Sequence, residues 1–297
     1  MSRWTAADIP DQTGRVIVIT GANAGLGFAS AKALAHRGAR VIMACRDPQR
    51  GQTARDRIAA DAPAGSVELL ALDLASLRSV EAFAEALHTA TDHVDVLMNN
   101  AGVMIPPFGR TEDGFELQIG VNYLGHFALT GRVLDLLEAA PAARVVTLSS
   151  LAHVGARIDF DSFTGEKKYR AWRAYQQSKL ACLMFARALQ RRLSAANSSV
   201  TSYAAHPGGT RTDLQRHSGF LAFATRFAMS ADQGALPQLF AATAPEAEPG
   251  GYYGPGGVAE VWGYPKPAHV GGAAKDEDVA QRLWTAAEDA TGVRYLG

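Results

Sequence analysis

Four consecutive β-branched residues, Val16-Ile17-Val18-Ile19, run straight into Thr20-Gly21-Ala22-Asn23-Ala24-Gly25-Leu26-Gly27, and an alanine-rich helical stretch follows to Arg37. An unbroken apolar run has no solvent-facing side. It fits a strand buried on both faces, as in parallel sheets covered by helices. Gly21 permits a tight turn, Gly25 lets backbone N–H groups approach a ligand, and Gly27 lets the helix pack close to the strand. An anion at that point meets unpaired N–H groups and the positive end of the helix dipole. The spacing is G-x-x-x-G-x-G rather than G-x-G-x-x-G, and a tight turn alone would also use glycine. Its placement between strand and helix is what points to a phosphate loop.

The alternation continues along the chain. Strands are predicted at 41–44, 67–72, 94–98, 144–148 and 200–204, with helices at 25–37, 48–60, 76–88, 111–138 and 172–194. Asp47 and Pro48 suit an N-cap and a first helical position, and Ser76 and Ser79 before Glu81 make an imperfect capping box. This rhythm predicts an α/β Rossmann fold, a doubly wound parallel sheet with helices on both faces. One domain is expected over 1–297, with a core at 14–210, loops at 151–174 and 210–230, and a C-terminal strand and helix within 250–297. Gly250 to Gly257 reads as turns before a strand near 258–262, and a last helix spans about 276–290.

Lys+Arg 29 against Asp+Glu 29 leaves no net charge, so no nucleic-acid partner is expected. Cys45 and Cys182 make no disulfide scaffold and stand in no metal-ligand spacing, which suits a reducing compartment and no metal. The first residues lack the apolar core of a signal peptide, and no apolar run reaches the ~18 residues of a membrane span. A cytoplasmic protein is expected. An NAD site would offer Asp or Glu at the end of strand two. This chain offers Cys45-Arg46, whose guanidinium can pair with a 2′-phosphate, so the expected cofactor is NADP(H).

Thr20-Gly21-x-x-x-Gly25-x-Gly27, Asn99-Asn100-Ala101-Gly102 and Tyr175-x-x-x-Lys179 occur in that order, with Asp73-Leu74, Asn122 and Pro207-Gly208 between and after them. The ordered set resembles the short-chain dehydrogenase/reductase family, strongly over 14–210. Met43-Ala44-Cys45-Arg46-Asp47, Gly120-Val121-Asn122-Tyr123-Leu124-Gly125-His126-Phe127, Leu148-Ser149-Ser150-Leu151-Ala152-His153 and His206-Pro207-Gly208 resemble its retinol dehydrogenase-like branch, which also holds relatives of protochlorophyllide reductases. That resemblance implies NADP(H), and often a lipophilic carbonyl or alcohol as substrate.

Tyr175 and Lys179 are i and i+4, so a helix puts them on one face, where the ammonium favours the ionised phenol. The resemblance makes Tyr175 the general acid–base, with Lys179 also holding ribose hydroxyls. Either Ser149 or Ser150 at the end of strand five can face the substrate oxygen. The resemblance favours Ser150 as the donor stabilising developing charge. It further implies that Asn122 distorts its helix and supports a water linked to Lys179, that Asn100, Ala101 and Gly102 pass under the adenosine ribose, and that Asp73 and Leu74 meet the adenine. With Gly21, Asn23, Gly25, Leu26, Gly27 and Arg46 on the phosphates, Pro207, Gly208 and Thr212 would cover the nicotinamide. His153 and His206 are expected as polar walls of the site.

Ser150 and Tyr175 stand 25 positions apart, and the insert carries Phe160, Phe163, Tyr169 and Trp172. Residues 213–230 carry Phe220, Leu221, Phe223, Phe227 and Met229. An apolar lid over an apolar ligand and a plain core-facing helix fit these equally. A catalytically idle NADP(H) sensor and a light-dependent tetrapyrrole reductase are the alternatives to a dark carbonyl/alcohol oxidoreductase. Pairing through helices 111–138 and 172–194 would give a homodimer. The long insert stands against it, so monomer and dimer both remain open.

Overall fold

A computed structural model describes residues 3–61, 63–165, 168–210 and 229–296. Eight strands form one sheet in the order β3-β2-β1-β4-β5-β6-β7-β8. They are β1 (Val16–Thr20), β2 (Arg40–Cys45), β3 (Ser66–Ala71), β4 (Val96–Asn99), β5 (Arg144–Leu148), β6 (Thr201–Ala205), β7 (Tyr252–Pro255) and β8 (Pro265–Pro267). All neighbours are parallel except β7 and β8. Every residue of β1 is buried, as its β-branched run requires. At its centre Ile17 sits opposite Val41 on one side and Val96 on the other.

Because β1 lies between β2 and β4, the chain reverses its winding there. Ligands in open α/β sheets bind outside the carboxyl ends of the strands at such a point. Helices α1 (Gly25–His36) and α2 (Pro48–Ala60) pack on one face, joined by a later helix, Leu236–Thr243. Helices α3 (Leu77–Ala90), α5 (Gly125–Arg132) and α7 (Ala171–Ala195) cover the other, with the last helix, Glu277–Thr291. That second core holds an aromatic cluster: Phe127 lies 5.0 Å from Trp284, 4.9 Å from Tyr295 and 5.8 Å from Phe185, centroid to centroid.

Two expectations need correction. The long helix at 111–138 is not continuous. Thr111 opens a tight loop, in which its N–H donates to the Phe115 carbonyl at 2.8 Å. The helix begins only after Glu116, whose carboxylate caps Gln118 and Ile119. α4 (Leu117–Ile119) then passes into a π-turn, Gly120–Leu124, before α5, and Val133 at ψ 14° separates α5 from α6 (Leu134–Glu138). Second, 258–262 is no strand. Val258–Glu260 is a 3-10 turn, with Ala259 and Glu260 at φ 51° and 56°, values no strand contains. The strand lies earlier, at Tyr252–Pro255, among the glycines read as turns. Its pleat sends Tyr252 into one core and Tyr253 into the other. β8 is an edge strand, where proline's missing N–H costs nothing.

Candidate active site

β1 delivers Thr20 and Gly21 to the carboxyl edge of the sheet. Gly21 and Gly25 adopt φ 66° and 53°, which a side chain would strain. A Cβ on Gly27 would stand 2.4 Å from the Gly21 carbonyl oxygen and 2.6 Å from Asn100 Nδ2. The N-cap of α1 is Ala24, which has no side chain able to cap, so no side chain occupies the first-turn N–H groups. Asn23 is half-buried beside this turn and Leu26 is buried beneath it. A cradle too tight for side chains, ending on an uncapped helix, fits the pyrophosphate of a dinucleotide.

Thr20 also organises the loop after β4. Its hydroxyl oxygen accepts from the N–H groups of Asn100 (3.0 Å) and Ala101 (2.9 Å), and Asn100 Nδ2 donates to the Thr20 carbonyl at 2.7 Å. Gly21 leaves room for Ala101, since an added Cβ would lie 3.0 Å from its Cα and Cβ. Gly102 then faces α7 and the π-turn: a Cβ there would lie 3.0 Å from Asn122 Oδ1 and 3.4 Å from Lys179 Nζ. Asn99 turns inward instead, its amide donating to Thr130 Oγ1 at 3.1 Å.

Arg46 is exposed just past β2. The carboxylate next to it, Asp47, is spent on capping α2 through the Arg50 N–H at 3.0 Å. Asp73 sits in the turn before α3. One carboxylate oxygen accepts from Ala75 N–H at 2.9 Å, while its own N–H donates to Ser79 Oγ at 2.9 Å. Leu74 is buried against Gly125.

The π-turn places Asn122. Gly125 N–H bonds to the Gly120 carbonyl, one residue longer than an α-helical bond, and the 1%-exposed Asn122 is swung toward the loop after β4. Its Oδ1 accepts from Val103 N–H at 2.8 Å, and its Nδ2 donates to Val103 O at 3.0 Å and to Ser178 Oγ at 2.9 Å. Tyr175 and Lys179 are buried one turn apart on α7. Lys179 Nζ donates to the Leu148 carbonyl at 3.0 Å, which fixes the ammonium at the end of β5. The two serines divide. Ser149 is buried and donates to the Lys179 carbonyl at 2.7 Å. Ser150 is half-buried and caps the 3-10 turn Leu151–His153 by accepting from Ala152 N–H at 3.2 Å, so its own proton remains for another acceptor.

His153 and His206 do not wall the site; both are buried struts. His153 Nδ1 bonds the Ser150 carbonyl (2.7 Å), and its Nε2 accepts from Gly271 N–H (3.1 Å). His206 Nε2 faces Glu260 Oε2 at 2.9 Å. Burial lowers the His206 pKa to about 4, against the opposing pull of Glu260. Pro207 and Gly208 follow directly, Gly208 at φ 63°. Sequence reasoning assigned no role to His126. Its Nδ1 bonds the Asn122 carbonyl (3.0 Å) and its Nε2 the Thr20 hydroxyl (2.9 Å), joining the π-turn to the phosphate loop. Burial depresses its pKa to about 4, so it is neutral at pH 7. Its signal was present, as His126 lies one turn after Asn122 on a buried helix. Gln238 gave no such signal. It bonds Ser30 Oγ (2.7 Å) and Asn100 Oδ1 (3.2 Å) from 138 residues beyond Asn100.

On the substrate side, Phe160 and Phe163 of the insert pack on the core, and Tyr169 donates to the Pro106 carbonyl at 2.9 Å. Trp172 alone among the four is exposed, 6.0 Å from the Tyr175 ring. A cavity of about 770 Å³ beside the insert is lined by Arg157, Lys168, Arg170 and Arg173 with Glu116 and Asp159. Thr212, Phe220, Leu221, Phe223 and Phe227 lie outside the described residues. Cys45 and Cys182 are free and buried. Among the described residues no group of three metal-binding side chains occurs, and no helix is long and apolar enough to cross a membrane.

The chain is similar to several known proteins. The chain is 41% identical to human (Homo sapiens) Retinol dehydrogenase 12 over 288 residues, 95% of this chain and 88% of that one. It is 41% identical to mouse (Mus musculus) Polyprenol dehydrogenase over 301 residues, 97% and 86% of the two chains. An uncharacterized protein of known crystal structure from Mycobacterium Paratuberculosis superposes with a TM-score of 0.84 at 42% identity, covering 99% of each chain. The short chain dehydrogenase family model matches residues 15–219, the span from β1 through the phosphate loop, the π-turn and the Tyr175–Lys179 helix to the turn after β6. With a retinol dehydrogenase relative 41% identical over nearly its whole length, this chain belongs to the short-chain dehydrogenase/reductase family of oxidoreductases.

Proposed function

We propose that the protein is an NADP(H)-dependent oxidoreductase that interconverts a carbonyl and an alcohol on a lipophilic small molecule. The observation that carries this reading is the juxtaposition of Tyr175 and Lys179, buried one turn apart, with the ammonium held at the end of β5 beside Ser150. The nicotinamide supplies or takes the hydride when bound. The chain's part is the proton and the charge. Tyr175 gives its phenolic proton to the carbonyl oxygen in reduction and recovers it in oxidation. Ser150 donates its free proton to the oxygen on which charge develops. Asn122 and Gly102 hold the loop packed against Lys179 in place.

The preference for the phosphorylated cofactor is supported by exposed Arg46 and by the engagement of Asp47 in capping, which leaves no carboxylate at the end of β2 for a ribose 2′-hydroxyl. On that reading Gly21, Asn23, Gly25, Leu26 and Gly27 hold the pyrophosphate, Asp73 and Leu74 meet the adenine, Asn100, Ala101 and Gly102 line the ribose, and Pro207, Gly208 and Thr212 cover the nicotinamide. A lipophilic substrate is supported by the retinol and polyprenol dehydrogenases it resembles and by exposed Trp172 beside Tyr175.

The test follows reduced-nicotinamide absorbance with NADPH, in darkness, against a panel of carbonyls. Turnover is expected with long aliphatic or polycyclic aldehydes, and a Tyr175→Phe variant should bind NADPH as the parent does while losing at least ~100-fold in kcat. An unchanged kcat in that variant defeats the mechanism. Faster reduction of a small charged oxoacid defeats the substrate class.

A further inference from the structure

We propose that buried His206 and half-buried Glu260 form a positioning pair that holds the turn at 207–209, and through it the nicotinamide end of the cofactor, at the carboxyl edge of the sheet. This rests on the dinucleotide reading above, which puts that turn over the nicotinamide. Glu260 lies beyond the residues the family model matches, 15–219.

The ring of His206 is fixed on every side. The backbone N–H of His206, continuing β6, donates to the Tyr253 carbonyl at 2.9 Å. The imidazole lies 5.2 Å from the Tyr252 ring, and a Cβ on Gly254 would stand 1.9 Å from Nε2, so that glycine is what admits the ring. The hydrogen bonds assign the tautomer. Gly208 N–H donates to Nδ1 at 3.2 Å, so Nδ1 carries the lone pair. Nε2 therefore carries the proton and donates it to Glu260 Oε2 at 2.9 Å. The other carboxylate oxygen accepts from His269 N–H at 2.7 Å. One carboxylate thus joins the end of β6 to the segment after β8.

Glu260 stands in a strained turn. Ala259 and Glu260 are two successive non-glycine residues with left-handed φ, 51° and 56°. Their neighbours Val258, Val261 and Trp262 are left exposed. The strained turn presses on the one that follows His206. Gly209 N–H donates to the Val261 carbonyl at 2.8 Å, and a Cβ on Gly208 would stand 2.6 Å from that same oxygen. Gly209 in turn accepts from Met229 N–H at 3.0 Å, where the chain returns. Releasing Glu260 frees the backing of 207–209 while leaving the phosphate loop, on the far side of β4, untouched.

The effect is therefore confined to one end of the cofactor, and that is what the experiment reads. Dissociation constants are measured by titration for NADPH and for adenosine 2′,5′-bisphosphate, which carries the adenosine end alone. Glu260→Ala should weaken NADPH by about tenfold, as loss of a charge-assisted bond implies, and leave the bisphosphate within about twofold. Glu260→Gln, whose amide oxygen still accepts from Nε2–H, should recover part of the loss. Equal weakening of both ligands would mark a general structural defect and overturn the proposal, as would unchanged NADPH binding in both variants. A parent protein that binds neither ligand would overturn the dinucleotide reading itself.

Discussion

Replacing Asn122 by alanine tests the π-turn directly. The side chain is 1% exposed and makes three hydrogen bonds: two to the backbone of Val103, at 2.8 and 3.0 Å, and one to Ser178 Oγ at 2.9 Å. Alanine removes all three and leaves the half-buried Val103 N–H and C=O with no protein partner in their place. At roughly 1 kcal/mol for each bond, with some recovery from water at Val103, the cost is about 2–4 kcal/mol. For a chain of this size that lowers Tm by roughly 5–10 °C. Activity should fall further than stability explains. The loop that Asn122 holds packs against Lys179 Nζ, so kcat should drop by about 100-fold or more at temperatures where the variant is fully folded. Urea unfolding and steady-state kinetics with NADPH measure both. Asn122→Asp keeps the acceptor for Val103 N–H and loses both donors, so it should fall between. A variant as stable as the parent to within ~0.5 kcal/mol, or folded with full kcat, would refute the argument that this side chain fixes the loop.

Three other outcomes are expected. Stability should fall as pH drops from 6.5 toward 4, because buried His126 has a pKa of about 4 against 6.5 when exposed, and the unfolded chain alone takes up the proton in that window. The contribution is on the order of 2–3 kcal/mol by pH 4.5; urea unfolding at pH 7 and 4.5 should show a smaller pH difference in His126→Gln. Gly27→Ala, with its Cβ forced to 2.4 Å from the Gly21 carbonyl oxygen, should cost about 1–3 kcal/mol in thermal unfolding and weaken NADPH at least ~10-fold by titration. Arg46→Glu should raise KM for NADPH and lower it for NADH; an unchanged ratio would remove Arg46 from the 2′-phosphate.

The parts of the fold legible in the sequence are those that repeat a local rule. β1 needs only its β-branched run, α2 only Asp47 and Pro48, and the helix of Tyr175 and Lys179 only its period; each stands within a residue or so of expectation. Where a rule was overridden, the cause was tertiary. The segment Tyr252–Pro255 reads as turns because of its glycines, yet it is extended, since two tyrosines of opposite facing fill two cores and Gly254 makes way for His206. The run at 258–262 reads as a strand because of Val258, Val261 and Trp262, yet Ala259 and Glu260 are left-handed there, and Glu260 meets His206 across 54 positions.

The same distinction divides the candidate site. The residues proposed to meet a ligand come in short motifs, because phosphates and a phenol–ammonium pair impose local spacing: Gly21, Gly25 and Gly27 lie in one turn, Tyr175 and Lys179 in one helical turn. Residues that hold those motifs in place obey no spacing. His126 answers Thr20 across 106 positions, Gln238 answers Ser30 across 208, and Glu260 answers His206 across 54. Each answers a buried polar group that requires only a partner of the right hydrogen-bonding sense, and that requirement can be met from anywhere in the chain. The hydrogen bonds fit a neutral ring in both histidines, His126 with Nδ1 facing the Asn122 carbonyl and His206 with Nδ1 accepting from the Gly208 N–H. Burial, which lowers their pKa values to about 4, favours that neutral state at pH 7. The chemistry is thus written locally in this chain, and its precision non-locally.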